Sequence, residues 1–207
     1  MSKFHALIAA PVAIVAAAVA LPTPAAAQFT ESYKFLEAVR KKDGNEVTKL
    51  LDAGGPNLIN TRDYTSGESA LHIMTTKRDL TWMRFLVGKG ANVNARDAKG
   101  VTPLVAAVNF NFVEGAEFLI GQGAKLDDSN NAGETPLITA VHNRNFDLMR
   151  VLLTAGADPD RADNSGRSAR DYALYEGQDS AAMTTIVKYA RPKKKDGAAK
   201  VFGPSFR

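Results

Sequence analysis

At 207 residues, 45% hydrophobic and 23% charged, the chain has a soluble globular composition and suffices for one domain or one short solenoid. The absence of cysteine excludes a disulfide framework, a thiolate metal site and a thiol-linked lipid anchor. Charge is uneven: residues 28–190 hold 19 Lys and Arg against 21 Asp and Glu, whereas residues 191–207 hold 6 against 1. The pI near 9.3 is therefore a property of the C-terminal tail, which argues against a basic body built for nucleic acid.

The N-terminal stretch places Lys3 before an apolar run from Leu7 to Leu21, then Pro22-Thr23-Pro24 and Ala25-Ala26-Ala27 ahead of Gln28. This order reads as a secretory signal with an Ala-x-Ala cleavage site over residues 1–27. A run of that length, interrupted by Pro11, falls short of the roughly 20 apolar residues of a bilayer span. The expectation is an exported chain, periplasmic or secreted, freed from its leader.

From Tyr33 onward a period governs the sequence. Ser69-Ala-Leu-His72, Thr102-Pro-Leu-Val105, Thr135-Pro-Leu-Ile138 and Ser168-Ala-Arg-Asp171 begin 33 residues apart. Gly90-Ala-Asn-Val-Asn94, Gly123-Ala-Lys-Leu-Asp127 and Gly156-Ala-Asp-Pro-Asp160 recur at the same interval. Tyr33 to Thr61, with Leu50-Leu51, is a first repeat, and Ser168 to Ala190 is a shortened last one.

These motifs resemble the ankyrin repeat family over most of residues 31–190. The resemblance implies an all-α fold, an ankyrin-repeat solenoid of about five helix-turn-helix repeats with β-hairpin loops. Its repeats lie near 31–63, 64–97, 98–130, 131–163 and 164–190, followed by a basic, disordered tail over 191–207.

The residues support the same elements independently. Thr102 and Thr135 are N-caps, and Pro103 and Pro136 suit a first helical turn, where a missing N–H is harmless. Leu104 with Ala107, and Leu137 with Ala140, mark the buried face of short first helices. Ala116, Leu119 and Ile120, then Met149, Leu152 and Leu153, do so for second helices. Gly90, Gly123 and Gly156 close those second helices in the left-handed region. Trp82 is expected in the core between repeats. Stacked repeats need polar ends, and Arg40-Lys-Lys-Asp43 with Glu46, and Arg170-Asp171, Glu176 and Gln178-Asp-Ser180, supply them.

Asn109-Phe110-Asn111-Phe112 breaks the pattern. Asn111 stands where glycine often closes a first helix, and asparagine tolerates that left-handed conformation. Phe112 aligns with the capping residues Asp43, Asp79 and Asn145 and forgoes a cap worth about 1 kcal/mol. A neighbour must compensate, and whether Phe112 is core or surface stays open at this level.

Catalytic chemistry is sparsely supplied. His5 belongs to the leader, so His72 and His142 alone cannot build a three-histidine zinc site, and no nucleophile pattern accompanies them. The resemblance implies that His72 makes a structural hydrogen bond to a neighbouring repeat. Asp127-Asp128 and Asp158-Pro-Asp-Arg-Ala-Asp163 lack the glycine and distal glutamate of a calcium loop. Neither a phosphate loop nor a dinucleotide fingerprint is present, and we expect no enzyme, cofactor or metal.

What the resemblance implies instead is recognition through hairpin tips and the concave ends of first helices. The tips offer Tyr64, Thr65 and Glu68, Lys99 and Val101, Glu134, and Arg167. The helix ends offer Lys77, Asn109 and Phe110, His142 and Asn143, and Tyr175. Tyr64, Phe110 and Tyr175 are the aromatic anchors, because few residues carry most interface energy. The expected function is a monomeric, non-catalytic scaffold for a protein partner, with no nucleic acid. Alternatives are an inhibitor or protective accessory of an exported enzyme, or a small-ligand binder or enzyme using Asp and Glu. The Lys-rich tail is either a solvated terminus or a weak clamp for an acidic partner or anionic membrane surface.

Overall fold

Ten α-helices and one short 3-10 turn follow one another in the computed structural model, which describes residues 24–55 and 57–191. Residues 1–23 of the expected 1–27 leader and residues 192–207 of the expected 191–207 tail lie outside the described residues, while the last four leader residues, 24–27, fall within the first helix. The helices are α1 (Pro24–Lys41), α2 (Gly44–Gly54), α3 (Ala70–Thr76), α4 (Leu80–Gly88) and α5 (Pro103–Asn109). They continue with α6 (Val113–Gly121), α7 (Pro136–His142), α8 (Phe146–Ala155), α9 (Ala169–Tyr175) and α10 (Ala181–Tyr189). The 3-10 turn Leu58–Asn60 follows α2.

Each odd-numbered helix pairs with the even-numbered helix after it, giving five helix pairs among the described residues. Odd helices pack on odd (α1 on α3, α3 on α5, α5 on α7, α7 on α9), and α4, α6, α8 and α10 form a second row. Helices of seven residues are too short to persist alone. Packing supplies what propensity cannot: Leu71, Met74, Leu104, Ala107, Leu137, Ala140, Met149, Leu152 and Leu153 are fully buried in one continuous core. Ile120 is only half-buried at its edge. The expected β-hairpins are tight turns, with isolated antiparallel bridges at Arg62 with Ser69 and at Ala162 with Ser168.

The caps fall where the residue pattern places them. Thr102 and Thr135 accept the backbone N–H groups of Val105 and Ile138 at 3.3 and 3.2 Å, each followed by proline in the first turn. Asp43, Asp79 and Asn145 cap α2, α4 and α8 from the homologous place before each second helix. Gly90, Gly123 and Gly156 have positive φ.

His72 Nε2 lies 2.9 Å from the Val101 carbonyl of the next repeat, while Nδ1 accepts the Ser69 N–H at 3.2 Å. Burial lowers its pKa, so the ring is a neutral tie between repeats.

Between the two helices of each pair the chain turns through one left-handed residue: Lys42, Arg78, Asn111, Arg144 and Gly177. Asn111 conforms to expectation, at φ 51°. Lysine and arginine in the same conformation give no sequence signal and cost about 1 kcal/mol each. Each instead reaches the next repeat. Lys42 Nζ pairs with Asp79 at 2.6 Å, and Arg144 Nε with Glu176 at 3.0 Å. Asn111 Oδ1 accepts from Asn145 at 3.0 Å, and the Arg78 guanidinium sits 5.5 Å over the Phe112 ring.

That column settles Phe112, which is core at 5% exposure. No side chain caps α6, as the sequence implies. A Cβ on Gly115 would meet the Phe112 ring at 2.3 Å, so the ring occupies the space over that glycine. Trp82 and Leu148 hold the position of Gly115 in the flanking repeats. The large side chain of this layer therefore comes from Phe112, three residues earlier and just ahead of α6, and the lost cap is offset by apolar burial and the Arg78 cation.

Two expectations need correcting. Trp82 is not enclosed between repeats: it is half-buried, edge to face with Phe85 at 5.3 Å, because the matching part of α2 begins with Gly44 and leaves its flank open. The polar end at repeat 5 is also incomplete. Arg170, Asp171 and Thr185 replace the buried Leu137, Ile138 and Leu152, yet Leu174, whose counterparts Val108 and Val141 are buried, stays 44% exposed.

Candidate partner-binding surface

Four tips are built alike. The side-chain oxygen of Asp63, Asp97, Asn130 or Asp163 accepts N–H groups two to four residues on, at 2.8–3.1 Å, closing each loop as an Asx turn. Successive tips are then bonded to one another. Ala98 N–H donates to Ser66 O (3.0 Å), Asn131 N–H to Lys99 O (2.9 Å) and Asn164 N–H to Ala132 O (3.1 Å). The amides of Asn131 and Asn164 add bonds to Ala98 O and Asn131 O at 3.2 and 2.9 Å. A Cβ at Gly133 would lie 2.5 Å from the Asn164 backbone nitrogen, so glycine there is what lets adjacent tips touch. The tips form one continuous strip in fixed register.

Two of these turn-closing carboxylates, Asp63 and Asp163, are held ionised. The Ser66 N–H, the Arg40 guanidinium at 2.8 Å and the Thr65 N–H bring Asp63 down to about 2. Burial opposes ionisation of Asp163, but hydrogen bonds from Ser165, Tyr172 and Arg167 outweigh it and hold its carboxyl well below the usual range.

The tip residues divide in two. Tyr64 (90% exposed), Thr65 and Lys99 point outward. Glu68 is half-buried and accepts from Ser66 Oγ at 3.1 Å, and Val101 is half-buried with its carbonyl committed to His72. Glu134 accepts from Asn130 Nδ2 at 2.9 Å and lies 3.6 Å from His142 Nδ1. Arg167 is exposed, with its guanidinium 6.0 Å over the Tyr172 ring.

The first-helix ends divide similarly. Asn109 and Phe110 are exposed, the latter by half, and Tyr175 is 94% exposed. Lys77 Nζ donates to Arg40 O at 2.7 Å, and Asn143 Nδ2 to Val108 O at 3.3 Å, so both tie their repeat to the preceding one.

Sequence reasoning missed Tyr172. It collects Glu134, His142 and Arg167 into one cluster: its ring meets His142 edge to face at 4.5 Å, and its hydroxyl donates to Asp163 at 2.7 Å. Its counterparts Ile73, Ala106 and Thr139 are buried. A tyrosine in that column must reach outward, which is a signal the repeat alignment contains.

Among the described residues no group of three or more His, Asp or Glu could hold a metal ion, and no buried side-chain N or O lacks a hydrogen bond. No described helix is long and apolar enough to cross a membrane. The surface offers aromatic, amide and cationic groups on a rigid strip, which suits recognition of another macromolecule.

Comparison with known proteins agrees. A family model for ankyrin repeats in three copies matches residues 35–130, and another for many copies matches residues 119–173. Diacylglycerol kinase iota of Homo sapiens is 35% identical over 66 residues, 32% of this chain and 6% of the kinase. The same kinase of Mus musculus matches equally. Protein PhlB of Serratia liquefaciens is 39% identical over 72 residues, 34% of this chain and 30% of that protein. The chain thus spans less than a third of the length of these relatives. Ankyrin repeats generally mediate protein–protein interaction, and proteins built of them are typically non-enzymatic scaffolds.

Proposed function

This chain belongs to the ankyrin repeat family, and on that premise we propose that it is an exported, non-catalytic scaffold holding a protein partner along its tips and first-helix ends. The observation that carries the reading is the strip itself. Hydrogen bonds between tips fix the spacing of Tyr64, Thr65 and Lys99 before any partner arrives. Preorganisation of this kind lowers the ordering cost of binding. Tyr64, Asn109, Phe110 and Tyr175 then supply exposed contact area that the solenoid itself leaves uncovered.

Export rests on Lys3, the apolar run to Leu21 and the Ala25-Ala26-Ala27 triplet. Mass spectrometry of the chain recovered from a periplasmic fraction or culture medium should find Gln28 at its N-terminus, and an intact Met1 start inside the cytoplasm would overturn the export reading. For the surface, a photo-crosslinking residue at Tyr64 or Phe110 should capture one defined protein from an envelope extract, and the same residue at Asp52, on the outer side of α2, should not. Equal capture from all three positions would refute the placement.

A further inference from the structure

Beyond the tip surface, a notch of about 230 Å³ opens between the N-terminal turns of α2 and α4, lined by Gly44, Thr81, Trp82 and Phe85. None of the tip or first-helix-end residues lines it. The notch exists because of one departure from the repeat. Leu80, Val113 and Phe146 occupy the place of Gly44 in the next three repeats, and a Cβ built on Gly44 would meet nothing within 4 Å. The faces of Trp82 and Phe85, set at 73° to one another, are thereby left half open. Its volume lies below the roughly 300–1,000 Å³ of small-molecule and cofactor pockets, and suits a single large side chain.

The surrounding charge specifies what such a side chain is attached to. The two segments that flank the notch, residues 41–49 and 79–89, carry Lys41, Lys42, Lys49, Arg84 and Lys89 against Asp43, Glu46 and Asp79, within a body that is slightly acidic. The three acids are already engaged. Asp43 accepts the Glu46 N–H, Glu46 pairs with Lys49 at 3.4 Å, and Asp79 caps α4 while pairing with Lys42 at 2.6 Å. Lys89 instead lies over the ring of Phe85, a wall of the notch, at 5.9 Å, whereas Arg84 turns away to the Phe118 ring of the next repeat at 5.1 Å. An apolar notch with a lysine lying along one wall, and an excess of cations in the segments that flank it, is complementary to an apolar anchor flanked by carboxylates.

We propose that the Gly44 notch is a second binding site, which takes one phenylalanine or leucine side chain from an acidic peptide segment of a partner. It is independent of the tip strip and stands or falls separately from it. Gly44 makes the site by omission, Trp82 and Phe85 form its walls, and Lys89, which lies over the Phe85 ring, reads the flanking charge.

Trp82 is the only tryptophan of the chain, so its fluorescence reports on this site alone. The test titrates the chain with an acetylated, amidated pentapeptide bearing phenylalanine between two pairs of glutamates. Saturable change of Trp82 emission is expected. Replacing the central phenylalanine by glycine, or the glutamates by lysines, should weaken binding by at least about tenfold. Gly44→Leu, which restores the side chain of the other repeats in open space, should fold normally by circular dichroism and lose the response. No saturable change in the unmodified chain, an undiminished response in Gly44→Leu, or equal response to the lysine-flanked peptide would each overturn the proposal.

Discussion

Replacing Gly115 by alanine should destabilise the protein, although helix propensity alone favours the change. Glycine inside a helix costs roughly 0.5–1 kcal/mol relative to alanine, and Gly115 is buried within α6. The new Cβ would lie 2.3 Å from Cδ1 and 2.5 Å from Cε1 of Phe112, so the ring must move by more than 1 Å within a layer that it fills. Overpacking of this kind costs about 1–3 kcal/mol, which exceeds the propensity gain and leaves a net loss near 1 kcal/mol. In a Phe112→Asp background the sign should reverse. The ring is gone, the aspartate restores the cap of the other second helices, and Gly115→Ala keeps only its propensity gain of up to about 1 kcal/mol. Phe112→Asp itself should cost about 2–4 kcal/mol, because losing a buried aromatic costs about 3–5 kcal/mol against a regained cap of about 1 kcal/mol. Urea unfolding of the wild type, both single variants and the double variant, followed by circular dichroism, measures the cycle. The expected coupling is about 2 kcal/mol in favour of the double variant. A Gly115→Ala effect of the same sign and size in both backgrounds would refute the account of Phe112.

The remaining expectations concern pH and the turns. Asp63, held at about 2 in the folded protein against roughly 3.9 unfolded, contributes stability present above pH 4 and lost as pH falls through about 2; in Asp63→Asn, acid unfolding between those values should become shallower. His72, lowered by burial, resists the proton that the unfolded chain accepts, so its contribution should decline as pH falls below about 6.5. The stability gap between wild type and His72→Ala, about 2 kcal/mol at pH 8, should therefore narrow towards pH 5, and a constant gap would refute the neutral tie. Arg144→Gly removes a left-handed arginine costing about 1 kcal/mol and an exposed ion pair to Glu176 worth at most that, so thermal melting should show no loss or a small gain. A clear loss would mean that the ion pair outweighs the backbone term.

The spacing of Thr102-Pro103, Thr135-Pro136 and the glycines at 90, 123 and 156 determines the fold without reference to anything else. Caps, prolines and left-handed glycines act on the backbone within a few residues of themselves, so their meaning is local and legible. The tie of His72 to the next repeat was also legible through the family resemblance, whereas the bond from the Ser69 N–H to its Nδ1 was not. Tertiary structure alone decided the rest. Lys77 and Asn143 look like free surface residues, yet their side chains reach carbonyls of the preceding repeat. Trp82 looks like core, yet the glycine that exposes it lies 38 residues earlier in another repeat. Phe112 breaks a local rule for the benefit of a layer completed by Gly115 and Arg78. Such contacts depend on which atoms meet across the stack, and a pattern that fixes the period of the repeats is indifferent to the volume each one leaves for its neighbour.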